Sequence, residues 1–283
     1  MDWNTAAVRA LLECALGEDH AGNDITTLST VPAEARAQAA IVAKQECVLA
    51  GLGVVPQVFA TFGAEVEYEP ADGITDGARL LVGATAARLR GGARPLLSCE
   101  RVILNLLQRM SGIATLTRRY VDAVAGCPAI ILDTRKTAPG LRLFDKYAVT
   151  CGGGRNHRPD LSGAVLIKNN HIRLAGGVKP AMARMRQNGR PEPSVEIEVR
   201  TLAELEEALA CGAGRILLDN MSPAQVTEAV RVIGGRVPVE VSGGVRLDTV
   251  RAYAETGVDF ISVGELTHSA PAVDLAMRIV PLL

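Results

Sequence analysis

Apolar positions near the start of the chain recur at helical spacing, and short alternating segments follow them. Val8, Leu12 and Leu16 share one face of a predicted helix that ends near Gly17. Short strands are predicted at 39–43, 48–49, 64–68 and 79–82, with a helix near 55–62. This order indicates a small sheet that carries helices.

The longest helical pattern runs over residues 95–124. Ile103 and Leu107 belong to its apolar stripe, whereas Arg101 lies on the opposite face. Glycine lowers helix stability, so we expect Gly112 to divide this segment into two helices.

From residue 128 onward, predicted strands alternate with predicted helices. The strands are 130–134, 164–168, 195–199, 215–219, 238–242 and 260–263, and the helices are 202–210, 223–233 and 247–255. This alternation predicts a parallel sheet, and its density favours a small α/β barrel over an open doubly wound sheet. No G-x-G-x-x-G and no P-loop lysine occur, which excludes those nucleotide-binding motifs.

Each predicted barrel strand runs into polar or charged residues. These ends are 133–136, 168–170, Glu196 with Glu198, 219–220, 242–244 and 264–265. Active sites of α/β barrels lie where the strands end, so we predict a pocket there. Helix caps and turns are the alternative interpretation of each single end.

Strand 195–199 alternates glutamates with apolar residues. Glu196 and Glu198 therefore face the barrel lumen, and Glu240 repeats the pattern two strands later. Carboxylates buried there must meet cations or a metal. An edge strand with a solvated polar face is the alternative.

Charge narrows the choice of ligand. The chain has 283 residues with 30 basic and 31 acidic side chains, and 3% aromatics. This balance argues against binding nucleic acid through bulk charge or base stacking. Between residues 133 and 173, however, eight basic residues face three acidic ones. Arginine and lysine suit carboxylates and phosphates, which predicts a small polyanionic substrate; a solvated basic surface is the alternative.

Glycine-rich segments lie beside these charges. Residues 152–154 are a glycine run that leads into Arg155-Asn156-His157-Arg158, and backbone N–H groups of such runs can converge on an anion. We place His157 in the site, as a cation, a hydrogen-bonding group or a proton carrier. Residues 242–244 and 264–265 follow the last two strands, where many barrels bind phosphate.

Compartment and cysteine usage add little chemistry. The longest charge-free run, residues 47–64, contains three glycines and a proline, so we expect no membrane span. No export signal is visible at the N-terminus, and a cytoplasmic location is expected. Six scattered cysteines without a C-x-x-C pair predict free thiols and no structural zinc.

Ordered motifs along nearly the whole chain resemble the quinolinate phosphoribosyltransferase family. They are residues 18–19, 24–27, 100–108, 111–115, 133–140, 152–158, 166–171, 218–221, 242–244 and 262–269. The resemblance implies an N-terminal α/β sandwich (1–110), to which the tail (267–283) returns, and an α/β barrel of about seven strands (111–266). It also implies a Mg²⁺-dependent reaction of quinolinate with phosphoribosyl pyrophosphate that gives nicotinate mononucleotide, pyrophosphate and CO₂, a step in NAD biosynthesis.

The same resemblance implies residue roles. Catalytic roles fall to Lys136, Lys168, Glu198 and Asp219, of which Glu198 and Asp219 also handle the ribose hydroxyls and Mg²⁺, directly or through an intermediary. Substrate contacts fall to Arg101, Thr134, Arg135, Lys136, His157, Arg158, Lys168, Glu198 and Asp219. The 5′-phosphate site comprises Ser242, Gly243, Gly244, Gly264, Glu265 and Leu266. Arg101 is expected to reach the neighbouring subunit's pocket, which makes a homodimer the minimal unit and a hexamer of such dimers the larger assembly.

Two residues depart from the family pattern, and three alternatives stay open. Asn169 stands where aspartate is common, and Ala138 where threonine is usual. A related phosphoribosyltransferase could act on another acid, such as nicotinate. From the residues alone, a Schiff-base aldolase using Lys168 and a non-catalytic anion-binding barrel are further hypotheses.

Overall fold

A computed structural model describes residues 1–188 and 195–282. Its helices are α1 (Ala6–Glu18), α2 (Ile25–Thr30), α3 (Val54–Phe62), α4 (Ala93–Ala123), α5 (Arg142–Cys151), α6 (Asn169–Ala175), α7 (Val178–Gln187), α8 (Leu202–Ala210), α9 (Pro223–Ile233), α10 (Val250–Ala254) and α11 (Glu265–His268). Its strands are β1 (Arg36–Ala43), β2 (Cys47–Val48), β3 (Val66–Pro70), β4 (Arg79–Leu80), β5 (Thr85–Gly92), β6 (Ile130–Leu132), β7 (Leu166–Ile167), β8 (Glu196–Val199), β9 (Arg215–Asp219), β10 (Val239–Ser242), β11 (Phe260–Ser262) and β12 (Leu275–Pro281).

The chain divides into two compact units that interleave along the sequence. The first comprises Met1–Arg118, Thr137–Gly153 and Ser269–Leu283, and the second comprises Arg119–Lys136 and Gly154–His268. A single cut near residue 110 therefore does not separate these units, although the ranges 1–110 and 111–266 stay our prediction of domain boundaries. Residues 189–194 of the predicted barrel and Leu283 of the predicted tail lie outside the described residues.

The first unit contains a four-stranded antiparallel sheet in the order β12-β1-β5-β3. β5 was not predicted from the sequence, although it pairs with both β1 and β3. Alanine, arginine and glycine dominate β5, and these residues give a weak strand signal compared with β-branched and aromatic side chains. β12, near the end of the chain, pairs with β1.

Two helices, α1 and α4, test the predicted helix limits. The side chain of Thr5 caps α1 by accepting a hydrogen bond from the Val8 backbone N–H, but the helix continues past Gly17 to Glu18. The predicted break at Gly112 is wrong, because α4 runs without interruption from Ala93 to Ala123. A Cβ atom at Gly112 would lie 2.1 Å from the Pro271 carbonyl oxygen, so this glycine permits close packing instead.

The second unit confirms a barrel-like α/β architecture. Six parallel strands lie in the order β6-β11-β10-β9-β8-β7. A single parallel bridge between Leu132 and Arg155 extends the sheet beyond β6. About seven strands were predicted, and the described residues form six strands and this one bridge. Glycine weakens strands, and the glycine-rich segment before Arg155 pairs with β6 at Arg155 only.

Secondary structure of the second unit follows the predicted alternation closely. All six predicted strands occur, and α8 and α9 have the predicted bounds. α6, α7 and α11 were not predicted from the sequence, nor were α2 and α5 of the first unit, and the helix predicted at 247–255 is the shorter α10. The sheet core is aliphatic, with Ile197, Ile216, Val241 and Ile261 fully buried. All six cysteines are unbridged, and no helix of the described residues is long and apolar enough to cross a membrane.

Candidate active site

A pocket opens at the carboxyl ends of the parallel strands. Its lining residues are Thr134, Arg135, His157, Arg158, Leu166, Lys168, Leu217, Glu240, Ser242 and Ser262. Six of these were predicted as substrate contacts from the sequence. Residues at the ends of β6, β7, β10 and β11 thus converge on one place with Leu217 from the middle of β9, as expected for a barrel.

One pair of groups on the pocket rim joins β7 to β8. The Nζ atom of Lys168 lies 3.8 Å from Oε2 of Glu198. The backbone N–H of Asn169 donates a hydrogen bond of 3.2 Å to Oε1 of the same carboxylate. The Asn169 backbone thus holds Glu198, even though its side chain is not the family's common aspartate.

A second rim pair joins the end of β8 to β9. Both Nε and Nη2 of Arg200 approach Oδ2 of Asp219, at 3.0 and 2.9 Å. Arg200 was not predicted as a site residue from the sequence. Its position directly after β8, at a strand end, could have indicated it. We call Glu198, Asp219 and their cations Lys168 and Arg200 the rim.

Two further carboxylates lie near the pocket: Glu240 lines it, and Glu196 precedes Glu198 by two residues on β8. Nε of Arg215 lies 3.1 Å from Glu196, and its Nη2 donates to Oε2 of Glu240. The guanidinium also stacks over the Phe260 ring at 4.0 Å, and Ser262 donates its hydroxyl to Oε1 of Glu240. Arg215 supplies the cation that sequence reasoning required for lumen carboxylates. We call Glu196, Glu240, Arg215 and His157 the floor.

His157 connects the floor to the pocket loops. Its Nε2 lies 3.2 Å from Glu196 and 3.6 Å from Glu240. Its Nδ1 accepts a hydrogen bond of 2.8 Å from the Arg158 backbone N–H, and its own backbone N–H donates to the buried carboxylate of Asp133. The ring proton of neutral His157 therefore belongs on Nε2, where it points at the floor.

The floor also has the donor types of a metal site. Ligand atoms of His157, Glu196 and Glu240 lie within 4.8 Å of one another. Arg215 contacts both carboxylates, however, so a guanidinium already takes the place of a cation. A divalent ion would be repelled by this fixed positive charge, and we assign no metal here.

The pKa values of the two floor carboxylates shift in opposite directions. Burial and then the neighbouring charge of Glu196 raise the pKa of Glu240 to about 7. Burial also opposes ionisation of Glu196, but the hydrogen bond from His157 and the charge of Arg215 outweigh it and hold that pKa below its usual value.

Arg135 and Arg158 lie close enough in the pocket for their charges to interact. Burial, and then the positive charge of Arg135, lower the pKa of Arg158. Nη1 of Arg158 donates to the Ala164 carbonyl at 2.9 Å, a neutral partner. Two guanidinium groups close enough to repel each other are stabilised by an anion between or above them.

The glycine-rich strand ends have strained or crowded backbones. Gly243 has φ +91°, and a Cβ there would lie 2.4 Å from Oδ1 of Asn220, so only glycine fits. A Cβ at Gly264 would approach His268 and Lys136 at 3.1 Å. These segments bring backbone close to neighbouring side chains, which suits but does not by itself identify a phosphate site.

Glu265 and Arg101 lie apart from the pocket lining. The Glu265 carboxylate accepts a hydrogen bond from the Tyr120 hydroxyl. Arg101 lies on α4 in the first unit, 65% exposed, with Nη2 3.8 Å from Glu100. Lys136 donates its backbone N–H to the Thr134 hydroxyl, and its carbonyl accepts from Thr267.

Two family models match the chain in sequence. Residues 24–111 match the N-terminal domain of quinolinate phosphoribosyl transferase, and residues 113–278 match its C-terminal domain. The chloroplastic nicotinate-nucleotide pyrophosphorylase [carboxylating] of Oryza sativa subsp. japonica is 41% identical, over 97% of this chain and 78% of that protein. A probable enzyme of the same name from Bacillus subtilis (strain 168) is 39% identical, over 98% and 94%.

Solved structures give the same similarity. NadC from Streptococcus pyogenes superposes with a TM-score of 0.94 and 41% identity, covering 100% of this chain and 99% of that one. The nicotinate-nucleotide pyrophosphorylase of Ehrlichia chaffeensis gives a TM-score of 0.90 at 39% identity, covering 96% and 98%. Human nicotinic acid phosphoribosyltransferase, at 14% identity and a TM-score of 0.57, shares the fold alone; this alignment covers 98% of this chain and 74% of that one.

Proposed function

The chain belongs to the quinolinate phosphoribosyltransferase family, and we propose that the pocket at its barrel strand ends carries out that family's reaction. The enzyme transfers phosphoribose from phosphoribosyl pyrophosphate to quinolinate and releases pyrophosphate and CO₂, giving nicotinate mononucleotide for NAD biosynthesis.

The cationic wall of the pocket is the observation that carries this proposal. Arg135, Arg158 and Lys168 line one small cavity with His157. Quinolinate has two adjacent carboxylates, and forked guanidinium groups bind carboxylates with two parallel hydrogen bonds. We assign the quinolinate site to these four side chains, with Thr134 beside them.

The rim carboxylates are suited to the transfer step. Departure of pyrophosphate builds positive charge on the ribose carbon, and fixed carboxylates nearby stabilise that charge. We assign this role to Glu198 and Asp219, which also hold the ribose hydroxyls. Lys136 and Lys168 balance the negative charge of pyrophosphate and of the substrate carboxylates.

Mg²⁺ fits the rim by the chemistry of its donors. Carboxylate oxygens are the protein ligands that Mg²⁺ prefers, usually one or two of them together with substrate phosphates. Glu198 and Asp219 would supply these oxygens, directly or through water, once the half-exposed Lys168 and Arg200 turn from them to the substrate anions. When bound, the ion supplies charge that offsets the leaving pyrophosphate. The 5′-phosphate is assigned to residues 242–244 and to the backbone of residues 264–266.

A homodimer with shared active sites completes the proposal. Arg101 is highly exposed on α4, which suits a residue that serves a neighbouring subunit. Arg101→Ala should be inactive yet still dimerise, and mixing it with inactive Lys136→Ala should restore activity through hybrid dimers. No rescue after verified subunit exchange would contradict shared sites. We further propose a cytoplasmic enzyme, although the rice relative is named chloroplastic.

The experiment that tests the function is product analysis with a panel of acids. Purified protein with phosphoribosyl pyrophosphate and Mg²⁺ should convert quinolinate to nicotinate mononucleotide with equimolar pyrophosphate. Conversion of nicotinate instead would favour a related phosphoribosyltransferase that acts on another acid. Failure with every acid would contradict the proposal.

The aldolase alternative has less support from the geometry. Schiff-base lysines are typically desolvated in apolar pockets or placed beside other cations. The Lys168 side chain is 49% exposed and pairs with Glu198. Borohydride with a carbonyl substrate should therefore trap no adduct at Lys168.

A further inference from the structure

The floor holds two buried carboxylates side by side. Glu196 and Glu240 both contact the guanidinium of Arg215 and lie near the ring of His157, and the charge of Arg158 also acts on Glu196. Their side chains are 9% and 0% exposed, so solvent does little to stabilise an unbalanced charge. Oxygen atoms of the two carboxylates lie within 4.8 Å of each other, and one proton on the pair removes their mutual repulsion.

Contacts decide where that proton resides. On His157 it would have to occupy Nδ1, which already accepts the Arg158 backbone N–H. Glu196 has Arg215 and the Nε2–H of His157 as partners, at 3.1 and 3.2 Å. Glu240 is the most deeply buried of the three and faces Arg215 from β9, Glu196 from β8, Ser262 from β11 and His157 from its loop. Its raised pKa agrees with this placement.

The proposed reaction also needs one proton, at C2 of the pyridine ring. We propose that Glu240 is the acid that protonates the pyridine ring after decarboxylation, an inference that rests on the proposed function. When the C2–carboxylate bond breaks, its electron pair stays on C2 and CO₂ departs. The Glu240 carboxyl proton then forms the new C2–H bond, and the carboxylate left behind regains a proton from solvent.

Charge in the pocket favours this sequence of events. Glu240 lines the same cavity as Arg135, Arg158 and Lys168, so quinolinate bound there lies next to it. A dianion above the floor makes an ionised Glu240 unfavourable, which keeps the proton on Glu240 while the substrate is bound. After CO₂ leaves, Arg215 and Ser262 are in place to stabilise the carboxylate that forms.

Glu240→Gln tests the assignment, because an amide keeps the shape and neutrality of the protonated acid but lacks its proton. Rapid-quench single turnovers would follow pyrophosphate and nicotinate mononucleotide separately. We expect pyrophosphate formation close to wild type, and nicotinate mononucleotide formation slowed by about 10²- to 10⁴-fold, the usual contribution of a general acid. Quinolinate mononucleotide should accumulate.

Two matched variants serve as controls. Ser262→Ala removes a hydrogen bond to Glu240 but keeps the acid, and Glu240→Asp keeps an acid on a shorter side chain. Both should form nicotinate mononucleotide faster than Glu240→Gln. Equal slowing of both products in Glu240→Gln, or slowing of neither, would overturn the assignment.

A second measurement needs no variant and covers the case in which Glu240→Gln does not fold. In the wild type, nicotinate mononucleotide formation should fall at high pH while single-turnover pyrophosphate formation persists. Identical pH profiles for the two products would overturn the assignment. Absence of both products from wild-type enzyme would instead refute the proposed function.

Discussion

Rim and floor use the same residue types in opposite ways, although Glu198 and Glu196 are two residues apart on β8. The rim cations Lys168 and Arg200 have side chains that are 49% and 50% exposed. On the floor, the Arg215 side chain is 22% exposed and lies between two carboxylates and the Phe260 ring.

The different exposure of these cations suits the rim to binding substrate and the floor to exchanging a proton. The half-exposed rim cations can turn to substrate anions because water solvates them, although Glu198 and Asp219 are only 10% and 12% exposed. Floor charges cannot separate without burying an unpaired ion, so the floor keeps its geometry and only exchanges a proton. The four predictions that follow test this division, starting with the largest expected effect.

Substrate choice should show the largest effect, since the pocket lies between rim and floor. In the quinolinate site that we propose, nicotinate would leave at least one of Arg135, Arg158 and Lys168 without a carboxylate partner. Sites built around a polar partner reject analogues that lack it by about 10⁴-fold, so kcat/KM should favour quinolinate by that order. Phthalate should bind as an unreactive competitor. Arg158→Met should raise the KM for quinolinate far more than that for phosphoribosyl pyrophosphate. Comparable kcat/KM for both acids would break the dicarboxylate interpretation.

Removing the floor cation should have the next largest effect. Arg215→Met leaves two buried carboxylates without a guanidinium, and breaking a buried ion pair costs about 3–5 kcal/mol of unfolding free energy. Arg200→Met is the matched control on the rim, where the cation is 50% exposed, so we expect a smaller loss than for Arg215→Met. Denaturant titration of both variants measures the difference. Equal losses would show that floor and rim are energetically alike.

Neutralising the rim carboxylates should slow turnover without destabilising the fold. Glu198→Gln and Asp219→Asn keep shape but remove charge, so each should lower Mg²⁺-dependent kcat by about 10²-fold, the scale for one preorganised electrostatic group. Thermal unfolding of the same samples checks that the fold persists. Full activity of both variants in a chelator would make these carboxylates structural only.

Stability should depend on pH through Glu240. Its ordinary pKa is 4.5 and its folded pKa is about 7, so the folded state holds a proton that the unfolded state releases. The folded state is therefore favoured below about pH 4.5 and loses this advantage as pH rises through 7, by at most about 3 kcal/mol. In Glu240→Gln, the free energy of unfolding should depend less on pH between about 4.5 and 7 than in the wild type. Parallel curves for variant and wild type would contradict the raised pKa.

Much of the fold could be predicted because local signals and tertiary structure agree in the second unit. The α8 helix begins after Thr201, whose hydroxyl accepts from the Glu204 N–H, and α9 begins after Ser222 with a capping box to Gln225. Helix limits were therefore visible in the sequence. β5 was missed because its arginines and small residues carry a weak strand signal until β1 and β3 flank it.

The sequence predicts that the site residues meet at the strand ends, but it does not predict which charged residues form ion pairs. Strand ends had to meet at one edge of the sheet, which placed Arg135, Lys168 and Ser242 together. The partner of Glu196 depends on register, since β8 and β9 align Glu196 with Arg215. The register between β8 and β9 cannot be predicted from a local sequence pattern. The ion pair between Arg200 and Asp219 depends on the same register.

Release of labelled CO₂ tests the central claim most directly, namely that the barrel pocket couples phosphoribosyl transfer to decarboxylation. Quinolinate labelled in its 2-carboxylate should release label with wild-type protein only when phosphoribosyl pyrophosphate is present, in equimolar amount to nicotinate mononucleotide. Arg158→Met should reduce that release at limiting quinolinate. Release without phosphoribosyl pyrophosphate, or none with it, would contradict the account.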